Sequence, residues 1–208
     1  MRGLRVLDYI QRCNISFFMS FLLFVCFLCD LLYAKSSEND MVKQPVANVD
    51  ISGNLDSVFL DSSTIKLSDK PAMIVFGKDD CYYCSILSAS LISNETIQGY
   101  ITLNFLPYYI NISDKKKHTI PYLNLSGLSS LDTARLYELK SLPLIVFVST
   151  DGKEIMRVAG FPGEKRLIHL LEFVYNDVWK NYKTQKERVN GFLEYEKDLA
   201  KQVVKRSN

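Results

Sequence analysis

One stretch decides the fold of this chain, residues 71–84, which read PAMIVFGKDDCYYC. Its first half, residues 71–77, is a short apolar run of β-branched and aromatic side chains with polar residues on both sides. Such a run predicts a buried central strand. Cys81 and Cys84 follow, and the apolar residues beyond them recur at helical spacing: Ile86, Leu87, Leu91 and Ile92. The sequence therefore predicts a strand, a cysteine pair and a helix that ends or restarts near residues 94–95.

The next part of the chain continues the alternation of strands and helices. A second strand is predicted over residues 105–112, although Pro107 argues against full pairing of its first half, because proline has no backbone N–H to donate. Residues 113–127 are polar and rich in lysine, which predicts a surface connection with a solvated His118. A helix is then predicted over residues 130–139, and its apolar side consists of Leu131, Ala134, Leu136 and Leu139.

The C-terminal part supplies a hairpin and a final helix. Residues 143–148 form an apolar strand, an Asp-Gly turn lies at 151–152, and residues 154–159 supply the partner strand. Residues 164–174 form an amphipathic helix. Apolar residues at helical spacing continue weakly, among many charges, through residues 177–208. This extension is predicted to pack on the domain as an extra helix, and the alternative is a dimerisation surface.

The first 34 residues have the layout of an export signal. Three arginines, the last of them Arg12, precede an uncharged apolar run from Ile15 to Cys29. This run is shorter than the roughly eighteen apolar residues expected of a membrane-spanning helix, and cleavage after Ala34 is predicted. The alternative is an uncleaved anchor that tethers the protein to the membrane. Both alternatives place a linker over residues 35–47, and a domain over 48–176, in the periplasm or otherwise outside the cytoplasm.

Charge and cysteine count exclude several classes of function. The net charge of +2 is small and evenly spread, which argues against a nucleic-acid partner. Beyond the export segment only Cys81 and Cys84 remain, whereas exported domains held together by disulfides carry several cysteines at long spacings. A structural zinc ion needs four ligands, and only His118 and His169 could join the pair. The sequence therefore indicates redox use, with no metal and no cofactor.

The order of elements, with the cysteine pair opening the first helix, resembles the thioredoxin superfamily. Residues 75–84, the Leu142-Pro143 step before a strand, the run at 151–154 and Gly160-Phe161 are similar to exported thioredoxin-like proteins of the SoxW and cytochrome-c-maturation type. The similarity covers roughly residues 68–176. It implies an α/β thioredoxin fold, a central mixed β-sheet flanked by helices, here with a C-terminal helical extension.

At the first turn of a helix, Cys81 would lie among backbone N–H groups that lack partners within the helix. The positive end of the helix favours the thiolate, lowers the pKa of Cys81 and makes it the attacking nucleophile. Cys84 lies three residues on, within disulfide reach, and would resolve the mixed disulfide formed with a substrate. Cys84 is predicted to be the more buried and less reactive of the two.

The resemblance also implies a substrate-binding role for Leu142 and Pro143. Pro143 is expected to be cis and to stand beside the cysteine pair, and Leu142 to offer backbone hydrogen bonds to a substrate peptide, as in strand addition. Tyr82 and Tyr83 are expected either to contact the substrate or to cover the disulfide. The alternative for Pro143 is a proline that only begins a strand.

Several positions depart from the family pattern. Thioredoxins keep a buried acid six residues before the first cysteine, where this chain has Val75. Asp79 and Asp80 are predicted to be solvated, since like charges close to Cys81 would disfavour its thiolate. Many relatives carry Thr or another residue where this chain has Leu142. The two tyrosines between the cysteines also differ from the dipeptides of well-known relatives, so analogy does not give the reduction potential.

Three hypotheses for function follow. The first is a reductant of exported proteins that contain cysteines, such as apocytochromes c, supplied with electrons by a membrane thiol donor. The second is a disulfide oxidase or isomerase that uses the same two residues at a different reduction potential. The third is a non-catalytic thioredoxin-fold module that binds a partner or a copper ion.

Overall fold

The computed structural model describes residues 55–206, so the predicted export segment and linker lie outside the described residues. Its strands are β1 (Ala72–Gly77), β2 (Leu106–Asn111), β3 (Lys117–Ile120), β4 (Leu125–Ser129), β5 (Leu144–Val148) and β6 (Glu154–Ala159). Its helices are α1 (Tyr82–Ser93), α2 (Glu95–Asn104), α3 (Ser130–Leu136), α4 (Glu164–Tyr175) and α5 (Gln185–Arg206). Two short 3₁₀ turns lie at Pro121–Leu123 and Val178–Asn181.

Four strands form a central mixed sheet in the order β2-β1-β5-β6. Strand β1 runs parallel to β2 and antiparallel to β5, and β5 pairs antiparallel with β6. The two central strands, β1 and β5, are buried at every residue, which is why both read as continuous apolar runs rather than as alternating ones. This mixed sheet with flanking helices and a C-terminal helix is the predicted thioredoxin architecture.

Side chains that alternate across the sheet divide the core into two clusters. Met73 and Val75 of β1 face a cluster that includes Leu87 of α1 and Leu171 of α4. Ile74, Phe76 and their neighbours face the opposite side, where the cluster is completed from β3, α3 and the turn after it by Ile120, Ala134 and Tyr137. The strand that carries the chain toward the cysteines is therefore held on both faces.

Asn94 separates α1 from α2, at the position where the sequence predicts an end or a restart. Its backbone N–H donates to the carbonyl of Ser90 at 3.1 Å, which closes α1. Its side-chain oxygen accepts the N–H of Ile97 at 3.1 Å, which caps α2. Asparagine suits this double role because its short side chain satisfies the unpaired donors at a helix start.

The prediction of a surface connection over residues 113–127 is wrong, because most of this segment belongs to the β3–β4 hairpin. His118 is only 1% exposed, not solvated. Its Nδ1 donates to the carbonyl of Ser62 at 2.7 Å, and in the neutral ring Nε2 accepts the hydroxyl of Ser130 at 2.8 Å. This hairpin was not predicted from the sequence because its many lysines are typical of a solvated loop. In strand β3, however, alternate side chains point inward, so His118 and Ile120 are buried while Lys117 is exposed.

The apolar face predicted for α3 is also partly wrong. Leu131 and Leu136 are 37% and 43% exposed, and the buried residues of the helix are Ser130, Thr133 and Ala134. The hydroxyl of Thr133 donates to the carbonyl of Ser129 at 2.9 Å, so a polar side chain is buried with its hydrogen bond made. A helix this short presents one narrow stripe to the sheet, and small residues let it approach closely.

The C-terminal extension packs on the domain, as predicted. Phe192 and Tyr195 of α5 lie against Phe173 of α4, with ring centroids 5.6 and 5.7 Å apart. Arg188 donates from Nη1 to the carbonyls of Glu154 and Ile155 at 3.0 and 2.9 Å. These carbonyls belong to the outer strand β6, so α5 also satisfies backbone groups at an edge of the sheet.

Gly191 makes this docking feasible, and we expect Gly191→Ala to lower the free energy of unfolding by about 1–3 kcal/mol. A Cβ at position 191 would lie 2.1 Å from Cζ of Tyr182, whose ring stacks on Phe173. The tyrosine ring would have to leave its site. Denaturant unfolding measures the effect. Gly99→Ala on α2 is the matched control, because a Cβ there meets nothing within 4 Å and alanine should stabilise the helix by about 0.5–1 kcal/mol. If Gly191→Ala and Gly99→Ala changed the free energy of unfolding equally, the close contact between residue 191 and the Tyr182 ring would be contradicted.

Candidate active site

The cysteine pair lies after β1, at the start of α1. Cys81 is the N-cap residue of α1, and its Sγ accepts the backbone N–H of Cys84 at 3.3 Å. The two cysteines form a disulfide. Cys81 is partly exposed, whereas Cys84 is 3% exposed. Cys84 is therefore the more buried of the two cysteines, as the sequence predicted.

The start of α1 provides a positive electrostatic environment for Cys81. The helix has no acidic residue in its first turn, so nothing there offsets the partial positive charge of the unpaired N–H groups. This arrangement stabilises a thiolate once the disulfide is reduced. Asp79 and Asp80 precede the helix and are exposed, as predicted, and Asp79 accepts the side-chain N–H of Asn111 at 2.8 Å.

Tyr82 and Tyr83 form an aromatic surface beside the disulfide. Each residue is 58% exposed, and the two rings meet edge to face with centroids 5.3 Å apart. Rings that pack on each other lose little further freedom when a partner covers them. Both tyrosines are thus accessible at the surface beside the disulfide.

The sheet register brings Leu142 and Pro143 to the same end of the molecule as the cysteines. Leu144, the first residue of β5, lies opposite Phe76 near the end of β1, so the residue before it lies beside the chain that leads to Cys81. The Leu142-Pro143 peptide bond is cis. Pro143 is buried, Leu142 is partly exposed, and the Pro143 carbonyl accepts the N–H of Gly160 at 2.7 Å.

The surroundings of Cys84 contain no buried carboxylate. Val75 is fully buried, and among residues 55–205 every aspartate and glutamate is at least partly exposed. Sequence reasoning missed two polar residues close to this point, Tyr109 of β2 and Ser88 of α1. Tyr109 is the cross-strand partner of Val75, and its phenol group interacts with the Ser88 hydroxyl. The helical spacing from Cys84 to Ser88 was the signal that could have found the serine.

Within residues 55–206 no group of three or more His, Cys, Asp or Glu side chains is placed to hold a metal ion. In the same residues no helix has both the length and the apolarity that crossing a membrane requires.

Comparison with known proteins agrees with this geometry. The thioredoxin-like domain family matches residues 58–175, more than half of the chain. No curated protein matches this chain. The chain is similar to the structure of a thioredoxin-fold protein from Helicobacter pylori, with 26% identity and a TM-score of 0.67, over 74% of this chain and 98% of that one.

Two more distant structures share parts of the fold. A thioredoxin from Thermus thermophilus is 18% identical with a TM-score of 0.40, over 50% of this chain and 73% of that one. A DsbH oxidoreductase is 15% identical with a TM-score of 0.41, over 52% of this chain and 74% of that one. Neither similarity is strong enough to bear on the chemistry of the site.

Proposed function

The chain belongs to the thioredoxin-like domain family, and from that premise we propose that it is an exported protein thiol-disulfide oxidoreductase. The observation that carries the proposal is the disulfide between Cys81 and Cys84 at the start of α1, with Cys81 partly exposed and Cys84 buried. A bridge that closes so short a loop constrains the unfolded chain little. It can therefore open and close while the domain stays folded.

In the reducing direction the dithiol form acts in two steps. The Cys81 thiolate attacks one sulfur of a substrate disulfide, forms a mixed disulfide and releases the other substrate sulfur as a thiolate that takes up a proton. Cys84 then loses its proton and attacks the Cys81 sulfur. This second step re-forms the Cys81–Cys84 bridge and releases the remaining substrate sulfur as a thiol. Two electrons pass from the protein to its substrate, and a donor dithiol must return them.

The substrate would bind across Tyr82, Tyr83 and the Leu142-Pro143 step. Leu142 is partly exposed and lies two residues before the central strand β5, so its backbone would pair with an extended substrate segment. The exposed tyrosine rings would cover apolar side chains next to the substrate disulfide. Recognition by backbone and by apolar contact suits many protein substrates rather than one small molecule.

We propose that the protein acts as a reductant. Its substrates would be cysteine-containing exported proteins such as apocytochromes c, and a membrane thiol donor would supply the electrons. The resemblance of residues 75–84 to the SoxW and cytochrome-c-maturation type supports this direction. An oxidase or isomerase would use the same two cysteines and would differ in reduction potential, where about 30 mV corresponds to 1.4 kcal/mol.

The reduction potential of the Cys81–Cys84 bridge tests the direction. We expect a value near or below about −270 mV, because a reductant must hold its electrons less tightly than its substrates do. The full chain, with Cys13, Cys26 and Cys29 replaced by Ser so that only the site titrates, would be equilibrated against dithiothreitol buffers. The same protein with Cys81→Ser is the control. A potential near about −120 mV would contradict the reductant and favour an oxidase, and a bridge that never forms would contradict the proposed function itself.

A further inference from the structure

The buried position of Cys84 creates a chemical demand that the two cysteines do not meet by themselves. In the second step of the proposed reaction, Cys84 must lose its proton before its sulfur can attack. Burial favours the neutral thiol over the thiolate, and Cys84 is 3% exposed. Val75, at the position where thioredoxins keep a buried acid, is apolar and fully buried. Some other group must stabilise the thiolate.

Ser88 is the polar residue placed to reach Cys84 along the helix. The two residues lie four apart in α1, on the same face and one turn from each other, where Cβ atoms are about 5–6 Å apart. Ser88 is 3% exposed, so its hydroxyl has little access to water and needs a partner inside the protein. Tyr109 is the candidate partner, because its phenol group lies near enough to interact with the Ser88 hydroxyl.

The position of Tyr109 is fixed by its neighbours in the sheet. The residue lies beside Val75 in the parallel pairing of β1 with β2, so both side chains project from the same face of the sheet, toward α1. A Cβ on Gly77 would lie 2.0 Å from the Tyr109 oxygen, so the phenol group rests directly on the backbone of the last residue of β1. The Phe59 ring packs against the tyrosine, with centroids 5.6 Å apart.

Glycine at position 77 is needed for this arrangement, because any larger residue would displace the phenol group. The pKa of Tyr109 is raised overall: burial raises it most, the Ser88 hydroxyl lowers it, and the nearby carboxylates of Asp79 and Asp114 raise it. The phenol therefore keeps its proton across the physiological range. A protonated phenol is a hydrogen-bond donor, so Tyr109 can donate to Ser88 whenever the Ser88 hydroxyl turns toward Cys84.

We propose that Tyr109 and Ser88 are positioning residues that stabilise the Cys84 thiolate through a chain of two hydroxyl groups, in place of a buried carboxylate. Hydroxyl groups rotate to suit their partners. When Cys84 ionises, Ser88 turns to donate to the Cys84 sulfur and Tyr109 donates to the Ser88 oxygen. The thiol proton leaves to solvent, and no other bond is formed or broken. A hydrogen bond to the charged form favours that form. This inference rests on the proposed function.

The test separates the two steps of one turnover. Reduced protein, with Cys13, Cys26 and Cys29 replaced by Ser, is mixed with one equivalent of 5,5′-dithiobis(2-nitrobenzoate), and thionitrobenzoate release is followed between pH 5 and 9. The first release reports attack by Cys81 and the second reports attack by Cys84. For Tyr109→Phe and Ser88→Ala we expect the first release to keep its rate. The second release should slow about tenfold to hundredfold at the acidic end, since a hydrogen bond to a charged group is lost, and should recover toward alkaline pH.

Matched variants distinguish this role from a structural one. Tyr108→Phe removes a buried phenol hydroxyl from the next residue of β2, where it donates to the Lys66 carbonyl at 3.0 Å on the opposite face of the sheet. It should leave both releases unchanged. Ser88→Thr keeps a hydroxyl and should retain most of the rate of the second release.

Three outcomes would overturn the inference: an unchanged pH profile of the second release in Tyr109→Phe and Ser88→Ala, an equal slowing in Tyr108→Phe, or a lower melting temperature with both releases slowed alike. Absence of the first release in the unsubstituted protein would instead overturn the proposed function, and the inference with it.

Discussion

A Cys81→Ser variant is expected to lose protein disulfide reduction altogether, by at least about a thousandfold, because a serine hydroxyl stays protonated where a thiol at this helix end ionises. We assign the attacking role to this sulfur, since Cys81 is the partly exposed cysteine and its Sγ accepts a backbone N–H at the N-cap of α1. Turbidity from insulin reduction by dithiothreitol, with and without the protein, measures the activity. The fold should survive, because the bridge closes only a short loop.

Cys84→Ser is the matched variant and should behave differently. Cys81 can still attack, but the mixed disulfide cannot be resolved from within the protein, so covalent complexes with substrate proteins should accumulate and disappear on reduction. Gel electrophoresis without reductant detects them. If Cys81→Ser formed the complexes and Cys84→Ser did not, the assigned roles would be reversed. If both variants kept full activity, the pair would not be the catalytic group.

His118→Ala is expected to lower the free energy of unfolding by about 2–5 kcal/mol, the largest change in stability that we predict for a polar residue. The substitution would leave the Ser62 carbonyl without its ring N–H partner and would remove the acceptor of the Ser130 hydroxyl, both in the interior. Each unsatisfied buried group costs about 1–3 kcal/mol, and the empty ring volume adds to that cost. The remaining acceptor near Ser130, the Lys116 carbonyl, is 3.5 Å away and gives weak compensation.

His169→Ala serves as the control for this prediction. His169 lies on α4, and its Nδ1 atom makes no hydrogen bond, with the Glu196 carboxylate 3.6 Å away. Its loss should therefore cost clearly less than the loss of His118. Urea unfolding of both variants gives the comparison. A smaller loss for His118→Ala than for His169→Ala would show that the two hydrogen bonds do not hold the β3–β4 hairpin in place.

Local sequence patterns were sufficient to predict those elements whose buried residues recur at the regular spacing of a strand or a helix. The apolar runs at β1 and β5 and the amphipathic α4 were all found, because their burial patterns are those that strands and helices impose wherever they meet a core. The β3–β4 hairpin was missed because its strands carry lysine and serine. Its burial depends on contacts with residues near position 62, far away in the sequence.

The sequence by itself determined the thioredoxin fold and the identity of the cysteine pair, because both depend on spacing within single elements: a buried run, two cysteines three residues apart, and a helix. Only the tertiary structure decided what surrounds that pair. Leu142 reaches the site through the register of β5 against β1, and Tyr109 reaches Ser88 through the parallel pairing of β2 with β1. Pairings between segments distant in the chain are set by how the whole core packs, and no local pattern of residue types encodes them.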